Sequence, residues 1–115
     1  MRIAGIGCRP GASVEALRDA LLRVLMIAGP VEGIATIPAR APELRALSLP
    51  LILVEVAGIE TPTQSARIQA LHGTGSVAEA AALAACGEGA VIVAARVTSA
   101  CGSATAAIAE RPENP

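Results

Sequence analysis

The chain has 115 residues and a formal net charge of -1, which allows one hydrophobic core and excludes two. Its residues are 53% apolar, which excludes intrinsic disorder, and its near-neutral charge excludes a global field for nucleic acid. Phe, Tyr and Trp are absent, so Leu, Ile, Val and many Ala must fill the core, with helices lying close to a sheet.

Every basic residue is Arg and none is Lys. Biased codon composition with heavy Ala usage is the main reading, although the planar guanidinium also suits bidentate carboxylate recognition. No unbroken apolar run reaches the roughly 18 to 20 residues that span a bilayer, so no membrane segment is expected. The stretch from Met1 lacks the basic, apolar and small-residue succession of a signal peptide. Cys8, Cys86 and Cys101 are odd in number and lack CxxC spacing. They suggest neither a disulfide framework nor a zinc cluster, and a reducing, cytoplasmic compartment follows; no metal and no cofactor is expected.

Arg2 to Gly7 is a short apolar run closed by glycines and reads as a buried first strand. Ser13 caps a helix to Ala28, in which Val14, Leu17, Leu21, Val24 and Ala28 keep helical spacing; Gly29-Pro30 ends it. Val31 to Ile37 reads as a second strand, and Pro42 opens a short helix from Glu43 to Leu47. The apolar run LILVEV after Pro50 fits a central strand. Thr61 and Gln64 have capping-box spacing around Pro62, predicting a helix to Leu71 that Gly73 and Gly75 break. Ser76 to Glu79 is a second capping box, opening an alanine-rich helix to Gly87. Ala90 to Val97 and Thr105 to Ala109 remain as strands, and the turn-forming TSACGS between them suits an antiparallel hairpin. The fold class is therefore α/β: one three-layer α/β/α domain over residues 1–110, with a mainly parallel, mixed sheet and a C-terminal hairpin. Residues 111–115 read as a loose tail.

Two glycine-bearing loops are the candidate working surface. In GIGCRPGAS, Gly7, Arg9, Gly11 and Ser13 lead from a strand end into a helix N-terminus, where free N–H groups favour an anion. The spacing is neither GxGxxG nor a P-loop, and a tight turn explains the glycines equally well. Cys8, beside Arg9 and a helix start, has the setting of a low-pKa nucleophile, against which stands the distance in sequence to His72, the sole histidine. His72 is read as a helix-end surface residue, with a general acid/base or metal-ligand role as the functional alternative. In HGTGSVAEAAA, Gly73, Thr74, Gly75 and Ser76 form a second possible anion pocket, while Ser76 and Glu79 suffice as reciprocal caps. Arg40 and Glu43 read as a local ion pair. Arg96, a charge inside an apolar strand, needs a partner, an exit or a ligand.

In this order, GIGCRPGAS, IATIPARAPEL, ETPTQSARIQAL, GTGSVAEAAALAA and ATAAIA resemble the CobE/CbiG C-terminal family of cobalamin biosynthesis, from Ile3 to Ala109. The resemblance implies a three-layer α/β/α fold and a part in building the corrin ring, with a precorrin- or hydrogenobyrinate-type tetrapyrrole as small-molecule partner. In the two-part form the family is associated with opening a lactone on a cobalt-precorrin and releasing acetaldehyde; a lone domain is similar to the free-standing form. The roles open to it are hydrolase or isomerase, non-catalytic carrier, or docking subunit for other enzymes of the pathway; Glu79, His72 and Cys8 are the candidate actors of a catalytic role, and an unrelated small anion-binding α/β module is the remaining alternative. The family often has Lys where Arg40 stands, three before the Glu matched by Glu43; Arg preserves charge binding there and excludes proton transfer.

Overall fold

The computed structural model describes residues 1–112; the last three positions of the expected tail lie outside the described residues. Strand β1 (Arg2–Cys8) sits at the middle of a five-stranded sheet of order β3-β2-β1-β5-β4. β2 (Gly33–Thr36) pairs parallel with β1, and β3 (Leu51–Leu53) parallel with β2. β4 (Val91–Thr98) and β5 (Ala104–Glu110) form the expected hairpin, and β5 runs antiparallel to β1 over its whole length. The mixed sheet thus has two parallel and two antiparallel pairings. Met1 and Arg111 exchange backbone hydrogen bonds of 2.9 Å, so pairing reaches one residue into the stretch read as tail.

Alternation along β1 divides the core. Ala4 and Ile6 face α1 (Val14–Ala28), where Leu17, Ala20, Leu21 and Val24 cover them together with Leu44 of α2 (Ala41–Arg45). Ile3 faces α4 (Val77–Cys86) on the other side, among Val77, Ala80 and Ala81. Ser13 caps α1 as its sequence predicts, accepting from the Ala16 N–H at 3.2 Å. Gly5 shows why α4 is alanine-rich: a Cβ there would lie 1.9 Å from the Ala78 carbonyl oxygen, so the helix rests directly on the strand backbone.

Three expectations change. The run after Pro50 is an edge strand rather than a central one, with Ile52 and Leu53 exposed. Its hydrophobicity continues into a loop, where Val56 is buried against the α4 face. The expected helix from Thr61 begins only at α3 (Ala66–His72), capped by Ser65. Thr61 and Gln64 do meet, but as a closed turn: Gln64 Nε2 donates to the Thr61 carbonyl at 2.6 Å, and the Thr61 hydroxyl donates to the Thr63 carbonyl at 2.8 Å. The short helix after Pro38 starts earlier than Glu43, at Ala41, following a 3-10 turn over Pro38–Arg40.

Candidate functional site

Chain connections place a crevice at one end of β1. The β1-to-β2 crossover carries α1 over one face of the sheet, and the return from β3 to β4 carries α4 over the other. The crevice lies outside the carboxyl ends of β1 and β2, where α/β sheets bind their ligands. Here a cleft of about 440 Å³ is walled by Gly7, Cys8 and Arg9 at the end of β1, and by Ile37, Ala39 and Arg40 after β2. The far wall brings Arg67, Ile68, Leu71 and His72 of α3, Ser76 and Val77 at the start of α4, and Arg96 and Thr98 of β4. Ser103 and Thr105 close it from the hairpin.

Four arginines line this cleft: Arg9, Arg40, Arg67 and Arg96. Arg40 is half-buried and paired with Glu43 at 3.1 Å. Among the described residues the other three have no carboxylate in ion-pair reach. Arg96 reaches the cleft through an irregularity of β4. Ala94 pairs with Ile108 and Val97 with Ala106, so β4 has one residue more than β5 between these points. Such a bulge re-aims a side chain and frees a backbone N–H. The freed Arg96 N–H donates to Glu79 at 2.9 Å. That resolves the charge inside an apolar strand: its side chain faces the cleft.

Seven residues singled out by sequence thus meet here: Gly7, Cys8, Arg9, Arg40, His72, Ser76 and Arg96. The structure sets the others apart from the cleft lining. Gly11 is exposed, and its N–H is already taken by the Glu43 carboxylate at 2.9 Å. Ser13 is spent on its own cap. Gly73 ends α3 in the left-handed conformation at φ 70°. Thr74 is buried with its hydroxyl on the Ile59 carbonyl at 2.6 Å. Gly75 is packed so closely that a Cβ would lie 2.5 Å from the Thr63 carbonyl oxygen. The second loop is therefore a packed joint, with Gly73 lining only a neighbouring hollow that shares Ile37, Ala39, Leu71 and His72 with the cleft.

Two candidate actors have surroundings unlike those their local sequence suggests. The Ser76 hydroxyl caps the Glu79 N–H at 3.3 Å, but the Glu79 side chain does not complete the box. It is buried and accepts from the Thr63 N–H at 2.8 Å, the Thr63 hydroxyl at 2.9 Å and Arg96. Burial pushes the Cys8 thiol up to about 11, the Glu43 charge adds to this, and Arg40 offsets part of it. Cys8 is thus protonated near neutral pH, contrary to the low pKa its neighbours in sequence suggest. The low thiol is Cys101 in the β4–β5 turn, lowered to about 7 by its hydrogen bonds with Ser103 and Ser99. Sequence reading passed over Arg67, although Arg67 and Leu71 are four apart on a helix, as are Ile68 and His72 on the adjoining stripe.

No group of His, Cys, Asp or Glu among the described residues is arranged to hold a metal ion, and none of their helices is long and apolar enough to cross a membrane. No curated protein matches the chain in sequence. The crystal structure of CobE, a protein from the cobalamin (vitamin B12) biosynthetic pathway, is similar at 31% identity and a TM-score of 0.81, covering 100% of this chain and 93% of that one. The cobalamin biosynthesis protein chiG from Agrobacterium tumefaciens is similar at 34% identity and a TM-score of 0.68, covering 98% and 100%. The model of the cobalamin synthesis G C-terminus family matches residues 2–109. With a fold and a family match that agree over nearly its whole length, this chain belongs to the cobalamin synthesis G C-terminus family and is a protein of cobalamin biosynthesis.

Proposed function

We propose that the cleft binds a precorrin-type tetrapyrrole by the acetate and propionate carboxylates at its edge. The observation that carries this reading is the gathering of Arg9, Arg67 and Arg96 on facing walls without carboxylate partners among the described residues. Guanidinium groups hold carboxylates bidentately, and several pointing into one cleft suit a ligand with several acids. Ile37, Ile68, Leu71 and Val77 supply the apolar surface for the ring face. Stacking on aromatic rings is excluded, because the chain has none.

Binding and presentation of the macrocycle is favoured over covalent catalysis by the protonated Cys8 thiol and by the occupied carboxylate of Glu79. His72, which lines both the cleft and its neighbouring hollow, is the candidate acid or base if a lactone is opened here. The free thiols at Cys8, Cys86 and Cys101 suit work in a reducing cytoplasm.

The test is to incubate the pure chain with a precorrin or a hydrogenobyrinate-type compound. A protein without aromatic side chains is nearly transparent at 280 nm, so bound tetrapyrrole dominates the spectrum of the eluted peak. Co-elution is expected, and Arg67→Ala and Arg96→Ala should each weaken it about tenfold or more, the worth of a charge-assisted hydrogen bond. Loss of neither would overturn the reading. The mass of the recovered tetrapyrrole separates a carrier from a hydrolase, and co-elution with a pathway enzyme but not with pigment identifies a docking subunit.

A further inference from the structure

A carboxylate with no access to water is unfavourable unless donors satisfy its oxygens. Glu79 is 0% exposed and meets that need without an arginine or lysine: two backbone N–H groups and one hydroxyl close on it within 2.9 Å. Those donors come from two segments that regular secondary structure leaves undetermined. One is the β4 bulge at Arg96. The other is Thr63, in the irregular chain between β3 and α3.

Each segment carries a cleft arginine. Arg96 lies in the bulge itself, and Arg67 is the second residue of α3. No residue of α3 is buried, so its own packing does little to fix it. The attachments at its ends do more. The Ser65 N–H donates to the Gly75 carbonyl at 2.9 Å, the Gly58 N–H to the Gly73 carbonyl at 2.8 Å, and Thr63 is clasped by Glu79.

We infer that Glu79 is a positioning residue whose buried carboxylate ties the Thr63 turn to the β4 bulge and so sets the spacing of Arg67 and Arg96 along the far wall of the cleft. The inference rests on the proposed role of these arginines in binding carboxylates. A carboxylate suits the task because both oxygens accept and neither donates. Glutamine has nearly the same shape, but its amide nitrogen would face a donor, so at least one of the ties opens.

The test uses the whole chain and uroporphyrin, a tetrapyrrole edged with acetate and propionate groups, as probe. Thr63→Val removes the hydroxyl tie and leaves the carboxylate in place; Thr63→Ser keeps the tie; Glu79→Gln loosens it from the other side. Thr63→Val and Glu79→Gln should speed amide exchange across residues 66–72 by roughly tenfold while leaving α1 unchanged, and Thr63→Ser should behave as the native chain. The same two variants should weaken probe binding by roughly tenfold. Arg67→Ala should then cost less affinity in the Glu79→Gln background than in the native one, the coupling expected of a residue that acts through another. Unchanged exchange in α3 with additive effects on binding would overturn the inference. A native chain that fails to retain uroporphyrin would overturn the binding reading alone, because exchange still decides the clasp. If Glu79→Gln does not fold, the Thr63 pair carries the same decision.

Discussion

Cys8 and Cys101 sit at the same end of the molecule, one at the end of β1 and the other in the β4–β5 turn, with their thiols pushed in opposite directions. Burial disfavours the Cys8 thiolate, whereas hydroxyl groups on either side of exposed Cys101 stabilise its thiolate. Iodoacetamide at pH 7.5, a value between about 7 and about 11, should therefore label Cys101 first and Cys8 only after unfolding. Peptide mapping reads the order, and faster labelling of Cys8 would contradict it. Arg40 differs from its fellow arginines in the same local way. Glu43 already neutralises it, and the Gly11 N–H first, then Glu43's own backbone N–H and, least of all, Arg40, hold the Glu43 carboxyl below its ordinary range against the cost of burial. Arg40 therefore has less charge to offer a ligand than Arg9, Arg67 or Arg96.

Among the elements, α4 shows how composition becomes geometry. Small side chains let its backbone meet β1, and the contact point is Gly5. Gly5 lies inside the strand, as its sequence predicts, and leaves the space in which Ala78 and Ala82 rest. Gly5→Ala must push the helix off the sheet and should destabilise the fold by about 3 kcal/mol, at the upper end for overpacking a core. Urea unfolding measures this, and a loss below about 0.5 kcal/mol, the usual size of a surface change, would refute the contact. The α3 segment is the opposite case. Its start moves from the Thr61 motif to Ser65, because the Thr63 N–H is committed to Glu79, sixteen residues away in sequence. A capping motif sees only its own few residues, and this competitor comes from another helix.

At the scale of the whole molecule, stability at high pH follows from two thiols. The folded chain holds the Cys8 proton to about 11, against 9.0 for the ordinary thiol, and burial also raises Cys86. Between these values the native state binds more protons than the unfolded chain, so stability is fully present below pH 9 and falls as pH rises toward 11. Cys101 acts with the opposite sign in a lower window, gaining stability from about 7 to 9. The Tm should thus decline from pH 9 to 11 and decline less in Cys8→Ala; equal slopes in the two proteins would remove Cys8 as the cause.

The sequence alone determined the one-domain α/β class, the capped α1 and α4, the terminal hairpin and the family, since each depends on residues near one another or on their order. It brought Gly7, Arg9, Arg40, His72 and Arg96 forward as candidates, but as separate local features. Only the tertiary structure decided which of them meet. Strand order put LILVEV at an edge, a bulge turned Arg96 toward the cleft, and the fold brought Arg67 into the same cleft. Contacts from distant elements also turned Gly73, Thr74 and Gly75 into a packed joint and Glu79 into a buried tie. Helical period and capping act over three or four residues, whereas burial and charge at a site are set by whatever the chain's crossovers place beside it.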